Sequence, residues 1–406
     1  MPEPILNGLR VIDAASYIAA PVAATILADF GADVVKVENP GGDTYRALNS
    51  NPGMAPADNE FHWHLTNHNK RGIGLDLGNP AGYEVLQRLV SNADVFITNF
   101  PPPSRARLKL TYGDLGPLNE RLIYAALSAY GEAGPEAARS GFDSTAYWAR
   151  SGLMHAVRPD PDSGPARSMP GQGDHPTGMA LFGAIMLALY DRQRTGQGAE
   201  VHTSLLANGV WANGYAAQAT LAGTSMPLRP PREQAGNALT NHYQTRDGRW
   251  FILTVLNQDR DWPRLIAAIG RPELADDPRF ADRATRNAHP HELCAALDAA
   301  FATADLAHWR QVLGEAGLII GVVGTADETG QDAQMAACGV VRTTGLGQAG
   351  IEKLIDSPLW IAGHDKADVT AAPGTHQHRD EVLSELGYSE AECHALANQG
   401  AFGKPG

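Results

Sequence analysis

Short apolar runs alternate with longer amphipathic stretches along the first third of the chain. LRVIDAA (residues 9–15) reads as a buried strand, and PVAATILADF (21–30) as a helix with proline in its first turn and Gly31 behind it. ADVVKVE (32–38) is a second strand, which completes a βαβ unit. A right-handed crossover then makes a parallel sheet with covering helices the natural product. IGLDL (73–77), a helix over about 80–89, ADVFITNF (93–100) and RLIYAALSA (121–129) continue the alternation. The pattern predicts a doubly wound, Rossmann-like α/β sheet.

Farther on, a helix over 178–194 contains MALFGAIMLALY, apolar on every face and therefore expected to be buried. The basic turn RQRTGQG leads into a strand at EVHT (200–203), and Ser204 is placed to cap a helix over LLANGVWANGYAAQATLAG. PLRPPREQAGN (227–237) is a proline-rich connection. Beyond it a DGRWFILTV strand and amphipathic segments around Trp262 and over 291–315 suggest a smaller α+β domain. LIIGVVG (318–324) returns to strand character, and PGTHQHRDEVLSELGYS predicts a turn followed by a docking helix. The expected division is a large α/β domain over 1–225, a small domain over 226–325, and a C-terminal segment over 326–406 that returns to the large domain.

Composition narrows the function classes. The 406 residues carry 45 acidic and 32 basic side chains, a formal charge of −13, with no Lys/Arg tract, which argues against nucleic acid or an anionic membrane as main partner. No charged n-region precedes an apolar stretch at the N-terminus, and the longest apolar run is twelve residues, so a cytoplasmic protein is expected. Three widely separated cysteines, Cys294, Cys338 and Cys393, support neither a disulfide framework nor a CxxC metal site.

Several motifs invite chemistry that their context does not support. GLGQAG (345–350) fits G-x-G-x-x-G, but Pro358 follows too soon for a crossover helix, so it reads as a glycine-rich turn. FHWHLTNH places His64 and His68 four residues apart beside His62, yet no third ligand or positioned base accompanies them, so packing or surface roles are expected and no metal. No G-x-S-x-G elbow or P-loop occurs.

GQGDHPTG (171–178) is different, because one carboxylate, Asp174, stands between glycines and a helix start. Pro176 near the first helical position sets that start at about His175, so Asp174 is expected just outside a positive helix end. On these local features a helix cap and a reactive carboxylate both remain open. Gly171 and Gly173 favour reaction, since they allow close approach and offer amides for an oxyanion. A carboxylate nucleophile suits an activated acyl group such as a thioester.

Taken together, GLRVIDAASYIAAPVAATILADFGADVVKVENPGGD, NHNKRGIGLDL, ADVFITNFPPP, GQGDHPTGMALFGAIMLALYDRQRTGQG and the terminal ELGYS resemble the class III CoA-transferases, relatives of formyl-CoA transferase and carnitine CoA-transferase. The resemblance implies a two-domain α/β fold with the large domain built from both chain ends, and an interlocked homodimer. It implies an acyl-CoA donor and a small organic acid acceptor, with CoA thioester as substrate and no permanently bound cofactor. The acylated aspartate falls on Asp174. The family's CoA contacts fall on Ile18, Ala19, Asn39, Leu75, Asn99, Phe100, Pro101, Arg107 and the stretch from Arg139 to Asp143, including Phe142.

Three departures bear on substrate. Ile18 replaces the glutamine of formyl-CoA transferase, Ser140 and Phe142 replace a lysine–tyrosine pair, and REQAGNALTNHY has no clear counterpart of the family's glycine-rich covering loop. These speak against a strict formyl/oxalate specificity and toward a larger or branched acid. The related α-methylacyl-CoA racemases have a histidine base where this chain has Phe142, and an aromatic hydrocarbon cannot remove an α-proton. A racemase-like enzyme and a catalytically idle CoA-binding relative are the alternative readings.

Overall fold

The structure, a computed structural model, describes residues 3–347 and 350–403. The chain divides into two compact units: Met1–Met154 with Arg167–Ala217 and Gly330–Gly406, and His155–Ala166 with Gln218–Thr329.

In the first unit β1 (Arg10–Asp13), β2 (Asp33–Glu38), β3 (Arg71–Gly74), β4 (Val95–Thr98), β5 (Ile123–Ser128) and β6 (Ala199–Ser204) form one parallel sheet in the order β3-β2-β1-β4-β5-β6. The central strands are apolar on both faces because helices cover both, the usual condition of a parallel sheet. Ile12, Val35, Ile73 and Phe96 pack into one core with α3 (Pro80–Ser91) and the tail helix Arg379–Glu385, which supplies Val382 and Leu383. Val11, Val34, Ile97 and Ala125 pack into another with α1 (Ala19–Asp29) and the helix Asp174–Thr195. The doubly wound α/β layer expected from the alternation is present, and the chain also forms smaller antiparallel sheets.

Two helices start earlier than their prolines suggest. α1 begins at Ala19 and the later helix at Asp174, so Pro21 and Pro176 occupy the third position of their helices. The amide that proline lacks would be unpaired anywhere in the first turn, so this position is tolerated as well. Asp174 is therefore the first residue of its helix, with Gly173 as the N-cap.

That helix is buried along one stripe only: Thr177, Gly178, Leu181, Ile185, Ala188, Leu189 and Arg192. Leu187 and Tyr190 are 73% and 66% exposed, which corrects the expectation of burial on every face. The stripe crosses α1 so closely that a methyl group on Gly178 would lie 2.4 Å from the Ala19 carbonyl oxygen. Burying Leu181 and Ile185 there contributes about 2 kcal/mol each and fixes Asp174 against the start of α1. The next helical stretch is two helices, Leu205–Ala212 and Gly214–Leu221, with Ser204 Oγ accepting from the Ala207 amide at 3.1 Å as the expected cap.

In the second unit β7 (Thr240–Gln244), β8 (Trp250–Thr254) and β9 (Ile319–Val322) form an antiparallel sheet in that order. β7 was not expected; its TNHYQ sequence carries polar residues outward and only Asn241 and Tyr243 inward. Helices Gln258–Ala268, Pro290–Phe301 and Leu306–Glu315 supply Leu265, Leu297, Phe301 and Leu313 to its core.

GLGQAG flanks a hairpin. In the first unit β10 (Val341–Leu346) pairs antiparallel with β11 (Ile351–Ile355), as a glycine-rich turn requires; Gln348 and Ala349 themselves lie outside the described residues. The three clustered histidines pack on and around α2 (Phe61–Asn67). His62 Nε2 meets the Tyr45 carbonyl at 2.9 Å, His64 Nδ1 accepts from the Ala372 amide at 3.1 Å, and His68 Nε2 meets Asp29 at 2.8 Å. His376 and His378, without an expected role, seat the tail: His378 Nδ1 accepts from the Gly72 amide at 3.0 Å, and His376 Nε2 meets the Pro40 carbonyl at 3.1 Å. Among the described residues no helix is long and apolar enough to cross a membrane.

Candidate active site

The strand order reverses between β1 and β4, and open α/β sheets place ligands beyond the carboxyl ends of the strands at such a point. The loops leaving β1 and β4 are locked together there. Asn99 Oδ1 accepts from the Ser16 amide at 2.9 Å, and its Nδ2 donates to the Ser16 carbonyl at 2.7 Å. Beyond them lies a cavity of about 230 Å³ whose wall includes Ser16, Tyr17, Asn99, Pro101, Phe142 and Asp174.

Asp174 enters from the opposing helix. Its carboxyl caps no backbone amide; burial, with the nearby Asp143 carboxylate as the second cause, pushes its pKa up to about 7. The cap reading left open by the local sequence therefore does not describe it. Asp143 is buried, and its Oδ2 accepts from the Gly173 amide at 3.4 Å. Gly173 is held by shape as well, because a methyl group there would stand 2.5 Å from Cγ of Tyr147. Thr177 Oγ1 donates to the Gly173 carbonyl at 2.7 Å and closes the turn. Gly171 is buried in the left-handed region at φ +78°. The Gly173 amide thus points to Asp143, so of the two glycines proposed for oxyanion stabilisation this one is already engaged.

The structure gathers part of the expected CoA set. Ala19, Asn99, Pro101, Arg139 and Phe142 line the cavity with Asp174. Phe142 is 58% exposed and meets Tyr17 edge to face at 5.8 Å between ring centroids, which leaves aromatic surface at the mouth. Arg139 is exposed and paired with Glu136 at 2.6 Å. Asn39 and Arg107 are exposed outside the cavity wall. Ile18, Leu75 and Phe100 point elsewhere: Ile18 packs with Val22 and Tyr45, Leu75 is fully buried beneath the sheet, and Phe100 lies against the same core as Leu75. Arg105, not Arg107, is the buried arginine of α4 (Pro102–Leu108), donating to the Phe100 carbonyl at 2.9 Å and pairing with Glu132 at 2.5 Å.

Tyr17 escaped the sequence reading, although its place between a strand and a helix near a proline could have drawn attention. Its φ of +62° is rare for an aromatic residue and costs on the order of 1 kcal/mol. A buried ionic cluster holds it. Asp43 Oδ2 accepts from the Tyr17 amide at 3.2 Å, Lys36 donates to the Ala15 carbonyl, and Lys70 donates to the Pro21 carbonyl at 2.9 Å and to Asp13 Oδ2 at 2.8 Å. Burial opposes the Asp13 charge, but Lys36 and Lys70 outweigh it and hold the carboxyl below its ordinary range; burial pushes Lys70 down to about 8 despite Asp13. Two cations and two anions thus fix one loop over the cavity.

This architecture, a doubly wound sheet with a cavity at its switch point and a helix-borne carboxylate in the wall, suits transfer chemistry at that carboxylate. Residues 6–379 match the sequence model of CoA-transferase family III, and the chain belongs to that family. It is 30% identical to the (R)-2-hydroxy-4-methylpentanoate CoA-transferase of Clostridioides difficile, over 95% of this chain and 96% of that one. It is 28% identical to the cinnamoyl-CoA:phenyllactate CoA-transferase of Clostridium sporogenes, over 97% and 96%. The crystal structure of a CAIB/BAIF family protein from Brucella suis superposes with a TM-score of 0.84 at 28% identity, covering 95% of this chain and all of that one. The protein is an enzyme of this CoA-transferase class.

Proposed function

We propose that the enzyme moves CoA from an acyl-CoA donor to an organic acid through covalent intermediates on Asp174. The observation that carries this reading is a cavity-lining carboxyl that caps nothing and is raised to about 7. Its ionised form is a more basic nucleophile than an ordinary aspartate. A carboxylate oxygen of Asp174 attacks the thioester carbonyl; the C–S bond breaks, and the leaving thiolate and an acyl–aspartyl anhydride form. The thiolate attacks the Asp174 carbonyl, releasing the donor acid and leaving an aspartyl-CoA thioester. The acceptor carboxylate displaces the thiolate as a second anhydride forms, and thiolate attack on the acceptor acyl carbon yields the new thioester and regenerates Asp174.

Gly171, in its left-handed turn, and Gly173, packed on Tyr147, hold Asp174 in place, while Ala19, Asn99, Pro101, Arg139 and Phe142 contact CoA. Asp143 positions the loop through Gly173. Coenzyme A enters as substrate, and neither a metal nor a redox cofactor takes part. Phe142 at the mouth of the cavity supports an acceptor less polar than oxalate, like the branched and aryl hydroxy acids named for the two relatives above. The 85% and 80% exposure of Trp211 and Tyr215, beside that of Leu187 and Tyr190, supports a homodimer that covers them. A racemase-like reading loses its base, because Phe142 occupies that position and His175 lines a different cavity from Asp174.

The test is intact-mass spectrometry of wild type and Asp174→Ala with acyl-CoA thioesters, followed by hydroxylamine trapping and peptide mapping. An adduct on Asp174, absent from the variant, is expected. CoA binding without any adduct, accompanied by α-proton exchange in deuterated water, would instead assign racemase chemistry.

A further inference from the structure

Left-handed backbone is unfavourable for an aromatic residue and persists only where surrounding contacts over-determine it. Among the described residues Tyr17, Asn69 and Lys109 are the non-glycine residues with positive φ, and of these Tyr17 alone lines the cavity that holds Asp174. Ser16 before it is held by Asn99 at both amide and carbonyl. Asp43, buried, takes the Tyr17 amide on Oδ2 and the Tyr45 amide on Oδ1 at 2.9 Å. One carboxylate therefore anchors the backbone of two tyrosines, whose ring centroids lie 5.9 Å apart. Asp43 is itself fixed by its amide on Glu38 Oε2 at 2.8 Å and by Lys36 at 3.8 Å.

Phe142 meets the Tyr17 ring from the other side, so Phe142, Tyr17 and Tyr45 form a row that runs inward from the cavity mouth, 58%, 36% and 2% exposed in turn. Burial raises the Tyr45 phenol, a hydrogen bond with Thr66 works against the rise, and the Asp174 charge adds to it. The buried end of the row thus lies in the field of that carboxyl. Charge is arranged differently. The charged residues among those lining the cavity are Asp174 and Arg139, and Arg139 is already paired with Glu136. Asp143 adds a second carboxylate near Asp174, while Lys36 and Lys70, engaged with Asp13 and Asp43, are wholly without exposed side-chain surface. A substrate's second carboxylate would enter this site without a cation to meet it, which is costly. An aryl substituent would meet aromatic surface, which is favourable.

We infer that Tyr17 is the specificity-determining residue of this site: its ring, backed by Tyr45 and flanked by Phe142, receives the apolar substituent of a monocarboxylic acid whose carboxyl lies at Asp174. The inference rests on Asp174 being the acyl acceptor. It names the substrate class as arylalkyl monocarboxylic acids, and it sets dicarboxylic acids apart as poor substrates.

The test follows exchange of an isotopically labelled acid into its own CoA thioester, so that one acid serves as both donor and acceptor. CoA passes to the labelled acid and the unlabelled acid leaves. The acids are 3-phenylpropanoate, acetate and succinate, and the proteins are wild type, Tyr17→Phe, which keeps the ring, and Tyr17→Asn, which loses it but tolerates left-handed backbone. In wild type kcat/KM for 3-phenylpropanoate is expected to exceed that for acetate by at least about tenfold and that for succinate by at least about a hundredfold. Tyr17→Phe keeps both ratios within about threefold, whereas Tyr17→Asn lowers the ratio of 3-phenylpropanoate to acetate by at least about fivefold. A loop merely loosened by the substitution slows all three acids alike. That result, a wild type that prefers succinate or treats the acids equally, or a ratio left intact by Tyr17→Asn overturns the inference. Calorimetric titration of 3-phenylpropanoate with CoA present separates it from the covalent reading. Binding by wild type that Tyr17→Asn weakens at least about fivefold upholds the aromatic site even where Asp174 carries no adduct. Equal binding by the two proteins, or none by wild type, refutes it even where the adduct forms.

Discussion

Replacing Asp174 by asparagine tests the raised carboxyl through stability as well as activity. The shift from 3.8 to about 7, caused by burial and then by Asp143, means that the folded state holds a proton the unfolded chain has already lost between about pH 4 and 7. Folded wild type therefore binds more protons in that window, and its stability falls as pH rises through it. Below about pH 4 both states are protonated; above about pH 8 the penalty is complete. Three units correspond to about 4 kcal/mol, but the carboxyl is only half-buried and solvent screens it, so about 1–2 kcal/mol is expected. Asparagine is neutral throughout and escapes the penalty. The melting temperature of Asp174→Asn minus that of wild type should widen by about 1–2 °C between pH 5 and pH 8, while CoA transfer is abolished. Scanning fluorimetry in matched buffers reads this directly. A gap that stays constant or narrows toward pH 8 would show that Asp174 is not held protonated by its surroundings and would remove the electrostatic basis of the mechanism.

Gly173→Ala forces a methyl group into the Tyr147 ring, so it should cost about 1–3 kcal/mol and lower kcat by at least about tenfold as the loop shifts; a near-normal kcat and melting temperature would refute the close-packing argument. Asp143→Asn keeps an acceptor for the Gly173 amide but removes the like charge, so the acidic limb of the kcat/KM profile should move to lower pH. Tyr17→Gly relieves about 1 kcal/mol of left-handed strain and strips the ring that meets Phe142; the melting temperature should hold while KM for acyl-CoA rises several-fold with little change in kcat.

What the sequence by itself determined was periodicity and punctuation. Strands β1, β2, β4 and β5 are short, mainly apolar runs buried on both faces, and their alternation with helices points to a parallel sheet. Gly-Gln-Gly before Asp174 also marked a place where backbone packs closely, which Tyr147 explains. Tertiary structure decided the rest, because each remaining feature depends on partners distant in the chain. Whether Asp174 caps its helix turned on a helix start displaced by one residue and on Asp143, thirty-one positions earlier. The chemistry of Tyr17 is set by Asp43, Lys36 and Lys70, whose charges look like ordinary surface residues until the sheet buries them. Of the expected CoA contacts, Leu75 and Phe100 share the apolar character that also suits a core, and only packing shows that the core claims them.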